Sequence, residues 1–225
     1  MTIYSTLFVD LDQTVYPAST GIWEDVATRI HSFLQEALDL DPQEAVERRI
    51  YYYEKHGTSL RGLQQEAKVD PIKYMEYIHD VPVEAKIQPD PALPALLRAI
   101  SVPKYILTNA SIDHAQRVLT HLGVQNCFDG IIDIIRLGFC NKPDPQAYRR
   151  ALTLAGDPEA QTCILLDDSL MNLEAASLLG MTTVHVGPHR DADFTPDFQI
   201  SSIHDLRAVI PEIHQDHQAE GDQDG

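Results

Sequence analysis

Short apolar runs alternate with amphipathic helical stretches over most of the second half of this chain, and that alternation leaves little choice of fold. Helical patterns at 91–99, 112–121, 144–154 and 170–179 precede strand patterns at 104–108, around 131–135, at 163–167 and at 182–186. Strands separated by helices return to one sheet in the same direction, with the helices covering its faces. The run Leu7-Phe8-Val9, inside 4–10, reads as a further buried strand that stops at an aspartate. The expected fold class is α/β, a parallel sheet flanked by helices.

Between that first strand and the rest lies a stretch with helical patterning alone. Turn and cap signals gather at Pro17, Ser19 and Gly21, and Ile22, Val26, Ile30, Phe33 and Ala37 make one apolar helix face. Asp41-Pro42-Gln43-Glu44 carries a capping aspartate, a first-turn proline and a glutamate placed to cap back. Gly57 is the expected stop for that helix, and Asp70-Pro71 opens another. The expected organisation is a core of residues 1–16 and 89–213, a helical cap of 17–88 inserted after the first strand, and a disordered acidic tail of 214–225. His214 and His217 in that tail could hold a metal weakly, though a solvated tail is the plainer reading.

The formal net charge of −17 sets a condition on function. Such a surface repels nucleic acid, so no nucleic-acid partner is expected. It also repels small anions, so a phosphate site here needs a cation, a lysine or backbone amides close by. Cys127, Cys140 and Cys163 are odd in number and lack C-x-x-C spacing, which argues against a disulfide framework or a zinc site. With no leader pattern before the first strand and no apolar run of membrane-spanning length, a cytoplasmic protein without a membrane partner is expected.

Polar clusters follow or end four of the predicted strands, where open parallel sheets bind ligands. In Asp10-Leu11-Asp12-Gln13-Thr14 two carboxylates two residues apart can face the same side, one to attack and one to handle protons; the plainer reading is a strand end with turn-forming aspartates. Thr108-Asn109-Ala110-Ser111 offers a hydroxyl and backbone amides to a phosphate oxygen, or simply a helix cap. Asn141-Lys142-Pro143-Asp144 brings a lysine before a proline-started helix; a solvated lysine is the commoner case. Asp167-Asp168-Ser169, with Asn172 beyond, places hard oxygen ligands suited to magnesium, and adjacent acids favour a cation between them.

In order and placement, D-L-D-Q-T, T-N-A-S, K-P-D-P and L-L-D-D-S-L-M-N resemble the motifs of the haloacid dehalogenase-like hydrolase superfamily over most of residues 4–190. The stretches S-T-G-I, Y-Y-Y-E-K-H-G-T-S-L-R-G-L and K-V-D-P resemble the cap of the yeast-type pyrimidine 5′-nucleotidases. Gln13 departs from the glycine, asparagine or aspartate more often found there. The resemblance implies a Rossmann-like sheet with a helical cap and a magnesium-dependent phosphatase acting on a small phosphomonoester such as UMP or CMP. It implies Asp10 as nucleophile and Asp12 as acid and base. Magnesium would be held by Asp10, the backbone carbonyl of Asp12 and Asp168. Thr108, the amide of Asn109 and Lys142 would hold the phosphoryl group, with Asp167 and Asn172 orienting Asp168 or Lys142.

Arg61 and His56, each beside a glycine, are candidates for the nucleotide end of the substrate, although Arg61 equally suits an ion pair anchoring the cap. Of Tyr51, Tyr52 and Tyr53, which cannot share a helix face, one is expected in the core and one against a base. The remaining alternatives are a phosphatase of another metabolite (a sugar phosphate, pyridoxal phosphate or lysophosphatidate), a 2-haloacid dehalogenase, and a non-catalytic protein that binds a phosphometabolite. Dehalogenation has no use for a proton donor at Asp12.

Overall fold

Residues 4–188 and 192–214 are described by the computed structural model. Strands β1 (Thr6–Val9), β2 (Lys104–Leu107), β3 (Gly130–Ile132), β4 (Cys163–Asp167), β5 (Thr182–Val186) and β6 (Phe198–Ile200) form one sheet in the order β3-β2-β1-β4-β5-β6. All neighbouring pairs run parallel. β1 and β4 are buried along their whole length, as expected of central strands covered on both faces. Leu7, Val9, Ile106, Ile164 and Leu166 face one core layer; Phe8, Leu107 and Leu165 face the other. The two-residue period of the pleat divides them.

Helices α1 (Ile22–Leu38), α2 (Pro42–His56), α3 (Ser59–Glu66) and α4 (Pro71–Ile78) fill the segment between β1 and β2, with short α5 (Val83–Lys86) and α6 (Leu93–Ala99) leading back to the sheet. The described residues of this segment contain no strand. The expected capping box forms at Asp41 and Glu44, and Asp70 caps α4. Gly57 ends α2 with φ 81°, and an added Cβ there would meet Asn141 Nδ2 at 2.8 Å. The buried face of α1 is Ile22, Val26, Ile30 and Leu34, whereas the expected Ala37 is exposed. Four residues on from Ile30 the helix returns to Leu34, and a larger side chain fills the core better.

The second half follows with α7 (Ile112–His121), α8 (Pro145–Leu154), α9 (Leu170–Ser177) and α10 (Leu206–Val209). β3 starts and ends earlier than the expected 131–135. Asp133 accepts from the backbone N–H groups of Ile112 (3.0 Å) and Arg136 (2.9 Å), which turns the chain out of the sheet. His214 does not belong to a loose tail: it is buried and bridged to Ile100, and residues 215–225, with His217, lie outside the described residues. No helix among the described residues is long and apolar enough to cross a membrane.

Beyond β1 the backbone turns sharply, and Gln13 takes the left-handed conformation at φ 63°. That conformation costs a residue with a Cβ about 1–2 kcal/mol, and glycine avoids it while giving some of the gain back in unfolded-chain entropy. Gln13→Gly is therefore expected to stabilise the fold by about 1 kcal/mol, read in a thermal melt as a rise of about 2–4 °C. A fall in melting temperature would mean that the Gln13 side chain does more than the backbone geometry indicates.

Candidate active site

The carboxyl ends of β1, β2 and β4 meet where the strand order reverses, and four sequence segments converge there. Asp10 follows β1, Thr108 follows β2, Asp167 ends β4 with Asp168 next to it, and Lys142 enters from the loop before α8. Lys142 Nζ donates to Asp10 Oδ1 at 2.7 Å and to Asp167 Oδ2 at 2.6 Å. The lysine is 1% exposed, so the solvated-lysine reading fails. Asn172 Nδ2 reaches both oxygens of Asp167 at 3.0 and 3.1 Å, and the Ser169 amide donates to Asp167 Oδ1 at 2.9 Å. The Asn109 side chain holds the lysine's own backbone: its Nδ2 donates to Lys142 O (3.0 Å) and its Oδ1 accepts from Lys142 N (2.8 Å).

Burial pushes the Asp10 carboxyl well above its ordinary range; Lys142 pulls it down, while Asp167, Asp168 and Asp12 add to the rise. Burial also works against the charge of Lys142, but Asp10 and Asp167 outweigh it and its pKa is raised. One lysine thus faces more negative charge than it cancels. Single ligand atoms of Asp10, Asp167 and Asp168 lie within 4.8 Å of one another, a donor set of hard oxygens that fits a divalent cation such as magnesium. Asp167 is already engaged by three donors.

Asp12 stands apart from the lysine. Its Oδ1 accepts from the Tyr16 hydroxyl at 2.5 Å and lies 2.8 Å from His114 Nε2. Burial raises its pKa, but His114, Tyr16 and His79 outweigh it and push it down to about 2. His79 stacks on His114 with ring centroids 4.4 Å apart. Its pKa is pushed down to about 3 by burial, then by His114. The sequence reading did not single out Tyr16, His79 or His114. The available signal was the helix start: His114 lies three residues after Ser111, which caps α7. That capping role is the plainer reading of the T-N-A-S segment, and it holds for Ser111, while Thr108 lies buried in the site.

A cavity of about 700 Å³ opens over these groups. Asp10, Asp12, Thr108, Asn109, Lys142, Asp168 and Asn172 line its floor, and Trp23, Arg49, Ile50, Tyr53, Glu54 and Met171 are among the residues of its other walls. Neither Arg61 nor His56 lines it. Arg61 pairs with Asp144 at 2.9 Å, the anchoring role weighed for it. His56 is packed beside Tyr51 and lies 3.5 Å from Glu66. Each sits beside a glycine, and at Gly57 what comes close is the Asn141–Pro143 loop. At Gly62 it is the ring of Tyr52. Tyr52 is the core tyrosine and Tyr53 the one that lines the cavity.

Buried carboxylates and a lysine at the strand ends of a parallel sheet, with helices inserted after the first strand, are the build of a class of hydrolases. The chain belongs to the haloacid dehalogenase-like hydrolases, whose family model matches residues 4–180. It is 29% identical over 188 residues to Phosphate metabolism protein 8 of Saccharomyces cerevisiae, an alignment covering 77% of this chain and 59% of that protein. The chain therefore spans about three-fifths of the length of the curated relative. Among solved structures, the HAD phosphatase of Thermococcus onnurineus has a TM-score of 0.64 at 21% identity, covering 95% of this chain and all of that one. The L-2-haloacid dehalogenase of Xanthobacter autotrophicus has a TM-score of 0.60 at 16% identity, covering 93% and 99%. At these identities the likeness is one of fold.

Proposed function

We propose that this hydrolase removes phosphate from small phosphomonoesters through an aspartyl-phosphate on Asp10, with pyrimidine nucleoside monophosphates as its substrates. The observation that carries the reading is the pairing of a buried lysine-bound carboxylate, Asp10, with a second acid, Asp12, that the lysine does not touch. Asp10 attacks phosphorus while the bond to the leaving oxygen breaks, and that oxygen takes a proton from Asp12. A water then gives its proton to Asp12 and attacks the same phosphorus, which frees phosphate and restores the Asp10 carboxylate. The negative charge of a bound phosphate raises the pKa of Asp12 towards the range where it can carry that proton. Lys142, the Thr108 hydroxyl and the Asn109 amide hold the phosphoryl oxygens. Magnesium, held by Asp10, Asp168 and the Asp12 carbonyl, would supply neutralising charge between nucleophile and phosphate. The helical segment acts as a cap over the site.

Support for a nucleoside leaving group comes from the cavity walls. Trp23 and Tyr53 offer faces for a base, and Arg49 and Glu54 supply a donor and an acceptor. The test is phosphate release from UMP, CMP, purine nucleotides and sugar phosphates, with magnesium and with chelator, alongside halide release from 2-haloacids. Preferred turnover of UMP or CMP that stops with chelator, and that Asp168→Asn loses at low magnesium, is expected. Equal turnover of sugar phosphates would discard the nucleotide assignment. Halide release without phosphate release would replace the phosphatase reading with the dehalogenase one.

A further inference from the structure

Asp12 has two carboxylate oxygens, and the surrounding protein treats them differently. Oδ1 receives both donors, Tyr16 from the segment just after β1 and His114 from the first turn of α7. Among the described residues Oδ2 receives none, and Asp12 lines the cavity. We infer that Tyr16 and His114 form a two-point clamp that pins Oδ1 and leaves Oδ2 as the oxygen presented to the leaving group. They are positioning residues, since neither touches the reacting atoms. The inference rests on the phosphatase reading above and adds to it the parts that aim its acid.

The geometry of the donors carries the argument. A phenol hydroxyl beside a carboxylate can only donate, and the carboxylate can only accept. Two donors on one oxygen fix the rotation of the carboxyl group about its last bond, which is otherwise a soft, two-fold torsion. The donors are themselves held. Tyr16 is 3% and His114 2% exposed, so neither can swing away without disturbing the core. His79 stacks flat on His114 with an 18° angle between the rings, and its Nδ1 lies 3.1 Å from the Ser111 hydroxyl that caps the same helix. His114 Nδ1 is buried without a partner, so Nε2 is the ring nitrogen committed to a hydrogen bond, and its partner is Asp12. Such buried, supported donors are what a site needs to hold a reacting group within a fraction of an ångström.

The clamp matters for one bond. When the P–O bond to the leaving group breaks, the electron pair stays on the leaving oxygen and the proton comes from Oδ2. An alkyl-type leaving group such as a nucleoside 5′-oxygen needs that proton. A nitrophenolate leaves with little help. The experiment compares kcat/KM for UMP and for p-nitrophenyl phosphate in wild type, Tyr16→Phe, His114→Ala and His114→Gln, each checked for an unchanged folded circular dichroism spectrum. The ratio kcat/KM reports the steps up to release of the leaving group, so hydrolysis of the aspartyl-phosphate does not enter it.

Tyr16→Phe and His114→Ala are each expected to lose about 10–100-fold on UMP, the scale of a general-acid contribution partly lost, and less than about 3-fold on the aryl ester. His114→Gln, which can still donate to Oδ1, is expected to recover most of the loss. Equal losses on both esters, or losses on neither, overturn the clamp while leaving the phosphatase reading intact. A wild type inert towards both esters overturns that reading and the clamp with it.

Discussion

Asp10→Asn protein is expected to release phosphate at least about 1000-fold more slowly than wild type from every ester, while melting at no lower a temperature. The first half follows from the proposed covalent step: an amide cannot take the phosphoryl group, and Asp12, pinned by Tyr16 and His114, is not placed to replace it. The second half follows from the charge balance. Asp10 is buried beside Asp167 and Asp168, and burial and these neighbours push its carboxyl towards the neutral form. A neutral isostere removes that strain and keeps an oxygen that can accept from Lys142, at the cost of the charge on that one hydrogen bond. Calorimetry without added metal reads the stability, and phosphate release with magnesium reads the activity. Retention of activity within tenfold would remove Asp10 from the centre of the mechanism.

Lys142→Met should unfold far more readily. The substitution keeps the length and removes the ammonium group, so Asp10 and the fully buried Asp167 lose the cation that bridges them. Removing one partner of a buried ion pair costs about 3–5 kcal/mol, because an uncompensated charge remains. For a chain of this size that is a fall of roughly 6–20 °C in melting temperature. The pH dependence has a definite sign. Without the lysine, the folded-state pKa of Asp10, already raised by burial, rises further above its unfolded value. The penalty is therefore full at neutral pH and shrinks as pH falls and protons take the place of the ammonium group. The gap between wild type and variant should be wide at pH 7.5 and narrower at pH 5. A gap independent of pH would mean that packing of the lysine stem, not its charge, supports the fold.

Local chemistry made much of this legible beforehand. A strand stopping at Asp10, the caps at Asp41 and Asp70, and α7 over 112–121 are written in neighbouring residues. What escaped depends on distance along the chain. His114 meets Asp12 across 102 positions, and nothing near either residue announces the other. β6 has three residues, too few for a periodic signal, and its place is set by pairing with β5. Arg61 and His56 sit beside glycines, yet a glycine can admit protein as readily as ligand, and here it admits protein. The Asn109 amide is legible in the sequence, but the role of its side chain, which grips the backbone of Lys142, emerges only once the two loops are side by side.

Gly57 and Arg61 are contact points of another kind. Around the turn joining α2 to α3, Gly57 lies against Asn141 and Pro143, and Arg61 pairs with Asp144. Both contacts fall on the short loop that delivers Lys142. The helical segment is thus moored beside Lys142. A movement that opened the cavity while keeping these contacts would turn about this mooring and leave the charged floor undisturbed. A movement that broke it would tug the lysine's loop at the same moment, so substrate entry and the alignment of the proposed phosphate-holding group would become one event.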